Sequence, residues 1–213
     1  MRYSKTARSL IEATIAMHES GVPLMRRVIP VDEEVAIWTH YPENDAVSPK
    51  SRSRYFYHCH PPAERGIDEH GHFHLFIPKK AIGKPARSQP LSIPVDLTGP
   101  RADVVHLAAL SISAEGLPVE LFTVNRWVTD EWLYSADDIM AVLPRFDLTG
   151  AGGDDLVNQW LTAIVALARP MIEKLLRERD DVLSAAGWPG EDRSIEITSR
   201  APLDLQSLVD ASA

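Results

Sequence analysis

The chain contains 213 residues, of which 45% are hydrophobic and 24% are charged. This composition is typical of a globular domain and excludes a wholly disordered chain. The 22 basic and 30 acidic side chains give a net charge of −8, which argues against a nucleic-acid-binding protein. A single cysteine excludes an internal disulfide bond. Because the sequence shows neither a signal-peptide pattern nor an apolar run of membrane-spanning length, we expect a cytoplasmic protein that binds no membrane.

The first half of the chain predicts one helix and two strands. Residues 4–19 show helical spacing of apolar residues, and Gly21 and Pro23 follow them. Residues 28–50 are rich in turn formers, which predicts an irregular segment. Residues 54–60 and 70–77 are aromatic, β-prone and alternating, which predicts two strands. The proline-rich residues 78–100 predict a long surface connection.

The second half predicts two further strands and two helices. The strands cover residues 104–113 and 119–124, and the helices cover residues 135–143 and 154–186. Pro170 must kink or divide the longer helix, because proline removes a backbone donor. We predict an α+β fold for residues 1–190, with residues 191–213 as a loosely attached tail. The fold has a central antiparallel sheet, an N-terminal helix, and a long, proline-kinked C-terminal helix packed on one face.

Five histidines occur within the two strands of the first half: His58, His60, His70, His72 and His74. Side chains alternate between the faces of a strand, so the spacing predicts that all five histidines share one face of a hairpin. The opposite face is apolar and is expected to bury against the helices. Its residues are Tyr55, Tyr57, Cys59, Phe73, Leu75 and Ile77.

Imidazoles on adjacent strands lie close enough to surround one ion, so the pattern predicts a metal site. The expected cofactor is a divalent transition metal: zinc, iron, manganese, nickel or copper. His106 is a further candidate ligand, although its strand position predicts a buried face shared with Val104, Ala108, Leu110 and Ile112. A structural or pH-responsive histidine cluster is the alternative.

Charged side chains accompany the histidines. Glu64 and Glu69 lie in the hairpin connection, where either one would serve as a metal ligand or general base, or would neutralise nearby imidazolium groups. Arg54, Lys79 and Lys80 bracket the strands and favour a small anionic substrate, with solvated loop charges as an equal alternative. Residues 125–127 and 130–132 each contain a tryptophan and fit either a pocket rim or an interior tryptophan pair.

The run His58-x-His60-x3-Glu64 resembles the first metal motif of the cupin family. In that family, two histidines and a glutamate, joined by a later histidine, hold iron, manganese, nickel or zinc. The resemblance implies that His58, His60 and Glu64 are ligands and that His106 is the later histidine. It supports metal chemistry and does not extend to a β-barrel.

The run from His70 to Pro78 resembles the signature of the histidine-triad nucleotide hydrolases and transferases, which implies His72 as the nucleophile. Residues 55–76 also resemble the signature of an uncharacterised bacterial domain family, which implies no activity. We therefore predict a metal-dependent enzyme, hydrolytic or oxidative, that acts on a small anionic molecule. Histidine-triad catalysis and non-catalytic metal binding or sensing are the alternatives.

Overall fold

The computed structural model describes residues 3–30, 35–66, 68–83, 103–187 and 192–212. In this part of the chain, six strands form one antiparallel sheet in which the spatial order of the strands equals their order in the sequence. The strands are β1 (Tyr41–Val47), β2 (Arg54–His58), β3 (Gly71–Pro78), β4 (Val104–Ile112), β5 (Pro118–Val124) and β6 (Ile197–Pro202). The predicted α+β class with a central antiparallel sheet is confirmed.

The described helices are α1 (Lys5–Glu19), α2 (Leu24–Val28), α3 (Arg126–Thr129), α4 (Ala136–Val142), α5 (Asp155–Leu167), α6 (Arg169–Ala185) and α7 (Leu205–Asp210). Ser4 caps α1 by accepting a hydrogen bond from the backbone N–H of Ala7 at 3.1 Å. Ser135 caps α4 in the same way through the backbone N–H of Asp138. Both helices therefore begin where a side-chain oxygen satisfies an otherwise free backbone donor.

The long helix predicted for residues 154–186 is divided into α5 and α6 at Ala168. Pro170 occupies the first turn of α6, where its missing N–H would have no partner inside the helix. Asp154 caps α5 by accepting hydrogen bonds from the N–H groups of Leu156 and Val157. The proline thus divides the apolar stripe while both halves remain helical.

The two faces of the sheet have different surroundings. One face shares a large apolar core with α1, α5 and α6, in which α1 packs on α5, and α6 packs on β5 and β6. The other face has two small apolar clusters instead: Phe56, Phe76 and Val104, and Ala109, Phe122 and Val124. The histidines lie between these clusters, so we call this surface the histidine face.

Two segments depart from the predictions. Residues 41–47 form β1 inside the segment predicted to be irregular. Residues 197–202 form β6, which pairs with β5, so this part of the predicted loose tail is integrated into the sheet. Leu203 and Val209 follow β6 and are buried in the main core. Of the predicted connection 78–100, residues 84–100 lie outside the described residues. None of the described helices combines the length and apolar character needed to cross a bilayer.

Candidate metal centre

The β2–β3 hairpin places three buried histidines side by side. His58 is directly opposite His72 in the antiparallel register, and Phe56 is opposite His74. Because side chains two residues apart share a face, the three imidazoles project to the same side of the sheet. Their residues are only 8%, 6% and 1% exposed for His58, His72 and His74, respectively. The alternation predicted from the sequence is confirmed for these three histidines.

The ring nitrogens of these side chains converge. The Nε2 atoms of His58 and His72 are 2.8 Å apart, and the Nε2 atom of His60 is 3.3 Å from that of His58. One nitrogen from each of His58, His72 and His74 lies within 4.8 Å of the others. Ligand nitrogens around a tetrahedral zinc ion, at bond lengths of about 2.0–2.1 Å, are about 3.3 Å apart. The value of about 3.3 Å lies between the observed 2.8 Å and the upper limit of 4.8 Å, so the nitrogens of His58, His72 and His74, which we call the triad, are near enough to share one ion.

Two of the three rings are oriented through their second nitrogen. The Nδ1 atom of His72 is 2.5 Å from a carboxylate oxygen of Glu69, whose other oxygen accepts a hydrogen bond from the Gly66 N–H at 3.0 Å. The Nδ1 atom of His74 is 3.0 Å from Nε2 of His106. A carboxylate only accepts, so the His72 proton is held on Nδ1 and its Nε2 lone pair faces the cluster. Such partners orient the ligands of natural metal sites.

Four imidazoles at the site, those of His58, His60, His74 and His106, are neutral at physiological pH. Burial, followed by repulsion between the imidazoles, lowers the pKa of His58 to about 2 and that of His74 well below its usual value. Burial also lowers the pKa of His60 to about 4 and that of His106 to about 3. Neutral imidazole is the form that binds metal ions, so these four rings need no deprotonation before binding.

His70 does not join the cluster, and its predicted place on the histidine face is wrong. Its Nδ1 atom lies 2.7 Å from the hydroxyl of Tyr57 and 3.6 Å from the sulfur of Cys59, on the opposite side of the hairpin. β3 begins only at Gly71, so regular alternation does not extend back to His70. A Cβ atom on Gly71 would lie 2.4 Å from the His58 carbonyl oxygen, so the strands approach closely at this point.

His106 reaches the histidine face through a β-bulge. Leu75 pairs with Ala108, whereas the next residue, Phe76, pairs with His106, so Leu107 is the extra residue. The bulge reverses the alternation of side chains along β4, so His106 lies on the histidine face. There it contacts His74 and lies outside the main core. The predicted face of His106, shared with Ala108, Leu110 and Ile112, is therefore wrong, since these three residues belong to the helix-covered core.

The hairpin connection contributes Glu69 and not Glu64 to the cluster. Glu64 is exposed and borders the cleft described below, whereas Glu69 contacts His72 directly. The set of converging nitrogens also includes His74, so it differs from the set His58, His60, Glu64 and His106 that the cupin resemblance implies. The spacing of three residues between Glu69 and His72 is the sequence signal for this contact.

The three predicted substrate-binding cations lie at the other end of the hairpin. Lys79 follows the last residue of β3, and its ammonium group lies over the ring of Trp132, 3.0 Å from the ring centroid. Arg54 is the first residue of β2 and is 3.9 Å from a carboxylate oxygen of Asp45. Lys80 is exposed next to Lys79. The structure does not bring these cations together with the triad.

A cleft opens over the histidine face. It consists of two adjoining cavities of about 280 and 580 Å³, and His60, Glu64, His74 and Glu196 line both of them. His72 and Glu69 line the smaller cavity, and His58 lines the larger one. The triad is therefore buried within the protein but accessible from a space large enough for a small molecule.

Aromatic residues form part of this cleft. Trp38 lies on His60 with ring centroids 4.2 Å apart, and His40 stacks on Phe56 at 3.6 Å. Trp127, which belongs to one of the predicted rim segments, lines the larger cavity. Trp38 belongs to the segment predicted to be irregular, and no pattern in the sequence indicated its place at the site.

Glu131 lies behind the triad. This buried carboxylate accepts a hydrogen bond from the backbone N–H of His106. Burial raises the pKa of Glu131 to about 7. Glu131 therefore fixes the backbone of β4 at the bulge that turns His106 toward His74.

The fold and the site define an α+β protein with a histidine-rich centre on the side of one antiparallel sheet that faces away from the helix-covered core. The chain belongs to the family DUF6969, a domain of unknown function, whose model matches residues 4–203. This match agrees with the resemblance to an uncharacterised domain family. Neither a curated protein nor a solved structure matches the chain.

Proposed function

We propose that the protein binds one divalent transition-metal ion through the Nε2 atoms of His58, His72 and His74, and that this ion serves catalysis on a small molecule. The observation that carries the proposal is the convergence of three buried histidines, two of which are oriented by a contact at the second ring nitrogen. His72 is held by Glu69 and His74 by His106, each through Nδ1. Without a metal ion, one proton shared between the Nε2 atoms of His58 and His72 would be enough to hold these two rings together. Such a cluster would not require the contacts at Nδ1 of His72 and His74.

The donor set fits the proposed ion. Three neutral imidazoles suit zinc, copper, iron and nickel, and the set does not distinguish between them. Three protein ligands leave a coordination position open, which is the arrangement of catalytic sites. When bound, such an ion acts as a Lewis acid that activates water or polarises a substrate oxygen. The cleft beside the triad supports this use, because it gives a small molecule access to the open position.

His60 and Glu64 are the proton-transfer groups in this proposal. Both side chains line the two cavities, and Glu64 is exposed. Burial lowers the pKa of His60 to about 4, so at neutral pH this imidazole is unprotonated and would hold a proton from a water or a substrate only transiently. Trp38 covers one side of the His60 ring and limits its movement.

A closed, non-catalytic metal site is the second candidate. His60 favours it, because its Nε2 atom lies 3.3 Å from that of His58, a spacing suited to a fourth ligand. With His60 bound, protein ligands would fill every position of a tetrahedral ion. The histidine-triad alternative receives less support, because the Nε2 atom of His72 faces His58 at 2.8 Å.

Cobalt titration of the untagged, chelator-treated protein tests the proposal. We expect one equivalent of Co²⁺ to give the visible absorption bands of a four-coordinate site. Azide should change these bands in the wild type, because an open position admits an added ligand. His72→Ala should abolish the bands, whereas His18→Ala, which removes an exposed histidine of α1, should leave them unchanged. Absence of metal binding by the wild-type protein would refute the proposal.

The azide response separates the two candidates. Bands that do not respond to azide in the wild type but respond in His60→Ala would show a site closed by four histidines, and the non-catalytic candidate would replace the enzyme. Nucleotide hydrolysis that survives chelation and is lost in His72→Ala would support the histidine-triad alternative.

A further inference from the structure

The larger cavity has a chemistry of its own, which is aromatic and acidic. Its aromatic side chains include Trp38 and Trp127, and its described charged residues at neutral pH are Glu64 and Glu196. No lysine or arginine lines this cavity in the part of the chain that the structure describes. The described arginines of the cleft, Arg65 and Arg200, line the smaller cavity. The larger cavity by itself therefore does not suit the anionic substrate that the flanking cations suggested.

Trp38 offers the most accessible aromatic surface at this cavity. Trp38 is 55% exposed. This exposure is unfavourable, because it leaves the apolar area of a large indole ring in water. One side of the ring rests on His60, and its edge lies toward His58, with ring centroids 5.9 Å apart. The backbone N–H of Trp38 donates to the carbonyl of Cys59 at 3.0 Å, which fastens the indole-bearing segment to the hairpin.

The opposite wall is formed by Trp127 and Glu196. Trp127 donates its indole N–H to the carbonyl of Ile195 at 2.8 Å, so its ring has a fixed position. The guanidinium carbon of Arg193 lies 5.1 Å from the centroid of this ring, so a cation of the protein itself already occupies one face of Trp127, and Trp38 is the aromatic ring left for a ligand. Glu196 is exposed and borders both cavities.

We propose that the substrate is a small organic cation, whose positive group lies against Trp38 and between Glu64 and Glu196 while its reacting end reaches the triad. This inference rests on the proposed function, because it assigns a substrate class to the same site. Aromatic faces attract ammonium groups through their quadrupole, and carboxylates supply the opposing charge. A cavity of 580 Å³ is within the usual range for small-molecule sites.

Binding of benzyltrimethylammonium tests the inference, with benzyl alcohol and benzoate as neutral and anionic counterparts of similar size. The quaternary nitrogen has no lone pair, so it cannot coordinate a metal. Binding is measured by ligand-observed NMR on the full chain after chelator treatment, so that no metal ion is present for benzoate to coordinate. We expect the cation to bind at least about fivefold more tightly than either counterpart, since one cation–π contact contributes about this factor.

Matched variants locate the contact. We expect Trp38→Leu to weaken binding of the cation about fivefold, and Trp38→Phe, which keeps an aromatic ring, to weaken it less. Glu196→Gln should also weaken binding, whereas Glu12→Gln, an exposed position on α1, should not. The two site residues are exposed, so their substitution leaves the core intact.

The inference would be overturned if benzoate or benzyl alcohol bound as tightly as the cation, or if the cation did not bind at all. Equal binding by the wild type and Trp38→Leu would also overturn it. Cobalt titration of the same preparations tests the metal separately. Metal binding without recognition of the cation refutes only the substrate class, and recognition of the cation without metal binding refutes only the proposed metal centre.

Discussion

The two faces of the β2–β3 hairpin have the same backbone but opposite chemistry. Tyr57 and Phe73 lie on one face, are fully buried, and belong to the helix-covered core. His58 and His72 lie on the other face and are buried almost as deeply, yet they border an open cleft and are not covered by helices. Burial has a different consequence on each side. Apolar rings are stabilised by leaving water, whereas imidazoles lose hydration and require a proton, a partner or an ion in compensation.

Lowering the pH of the metal-free protein should reveal the largest effect of this difference between the two faces. Folding lowers the pKa of His58, His74 and His106 from about 6.5, so below that pH the unfolded chain binds protons that the folded protein does not. Glu131 opposes this effect, because its pKa is raised to about 7 and the folded state binds its proton first. The net difference approaches two protons, so stability is lost as pH falls from 6.5 to 5.

We expect this loss to approach about 3 kcal/mol per pH unit, which corresponds to two protons. Urea unfolding in the presence of a chelator, followed by circular dichroism at pH 7 and pH 5, measures it. Equal stability at the two pH values would show that the imidazoles are not held neutral by the fold.

Removal of one histidine from each face should separate metal binding from packing. We expect His58→Ala to weaken cobalt binding by at least about 100-fold, because it removes a ligand. His70→Ala removes a histidine from the same hairpin but from the opposite face, and we expect less than about a threefold change. Direct titration of the two folded variants measures the effect. Similar losses in both would contradict the assignment of ligands to the histidine face.

Substitution of the two carboxylates in the hairpin connection tests which of them supports the metal site. Glu69→Gln keeps the size of the side chain but weakens the acceptor of the His72 proton, so we expect metal affinity to fall about 10- to 100-fold. Glu64→Gln is the matched control, and we expect its metal affinity to stay within about threefold of the wild type. A larger loss in Glu64→Gln than in Glu69→Gln would favour the ligand set that the cupin motif implies.

The smallest expected effect lies on the apolar face. Tyr57→Phe removes the hydroxyl that contacts His70 at 2.7 Å and keeps the ring in the core. We expect a loss of about 1 kcal/mol in the free energy of unfolding and no change in metal affinity. Chemical denaturation and cobalt titration test the two parts. A change in metal affinity would indicate that the two faces are coupled.

The sequence predicted those parts of the site that follow from regular alternation. His58, His72 and His74 lie within paired strands, so a period of two residues places them correctly. His70 was misplaced because it precedes the first residue of β3. His106 was misplaced because the register between β3 and β4 shifts by one residue after Leu75, a bulge that alternation along one strand does not indicate.

The fold was predictable where local signals were strong and less so where pairing is long-range. The helices predicted to begin at residues 4 and 135 are capped by Ser4 and Ser135, and Pro170 divides the long helix. β6 was missed because Ile197–Pro202 has little apolar alternation and is stabilised as a strand by pairing with β5. β1 was missed for a similar reason, since Pro42 and the polar residues after it favour a turn.

X-ray absorption spectroscopy of the zinc-loaded protein tests the central claim most directly. The spectrum reports the type and number of atoms around the ion without requiring a known substrate. We expect three imidazole nitrogens at about 2.0–2.1 Å, with a non-imidazole oxygen ligand such as water in the remaining position. A sulfur neighbour at about 2.3 Å would place the ion at Cys59, on the apolar face, and would contradict the account, as would a zinc ion surrounded only by oxygen atoms.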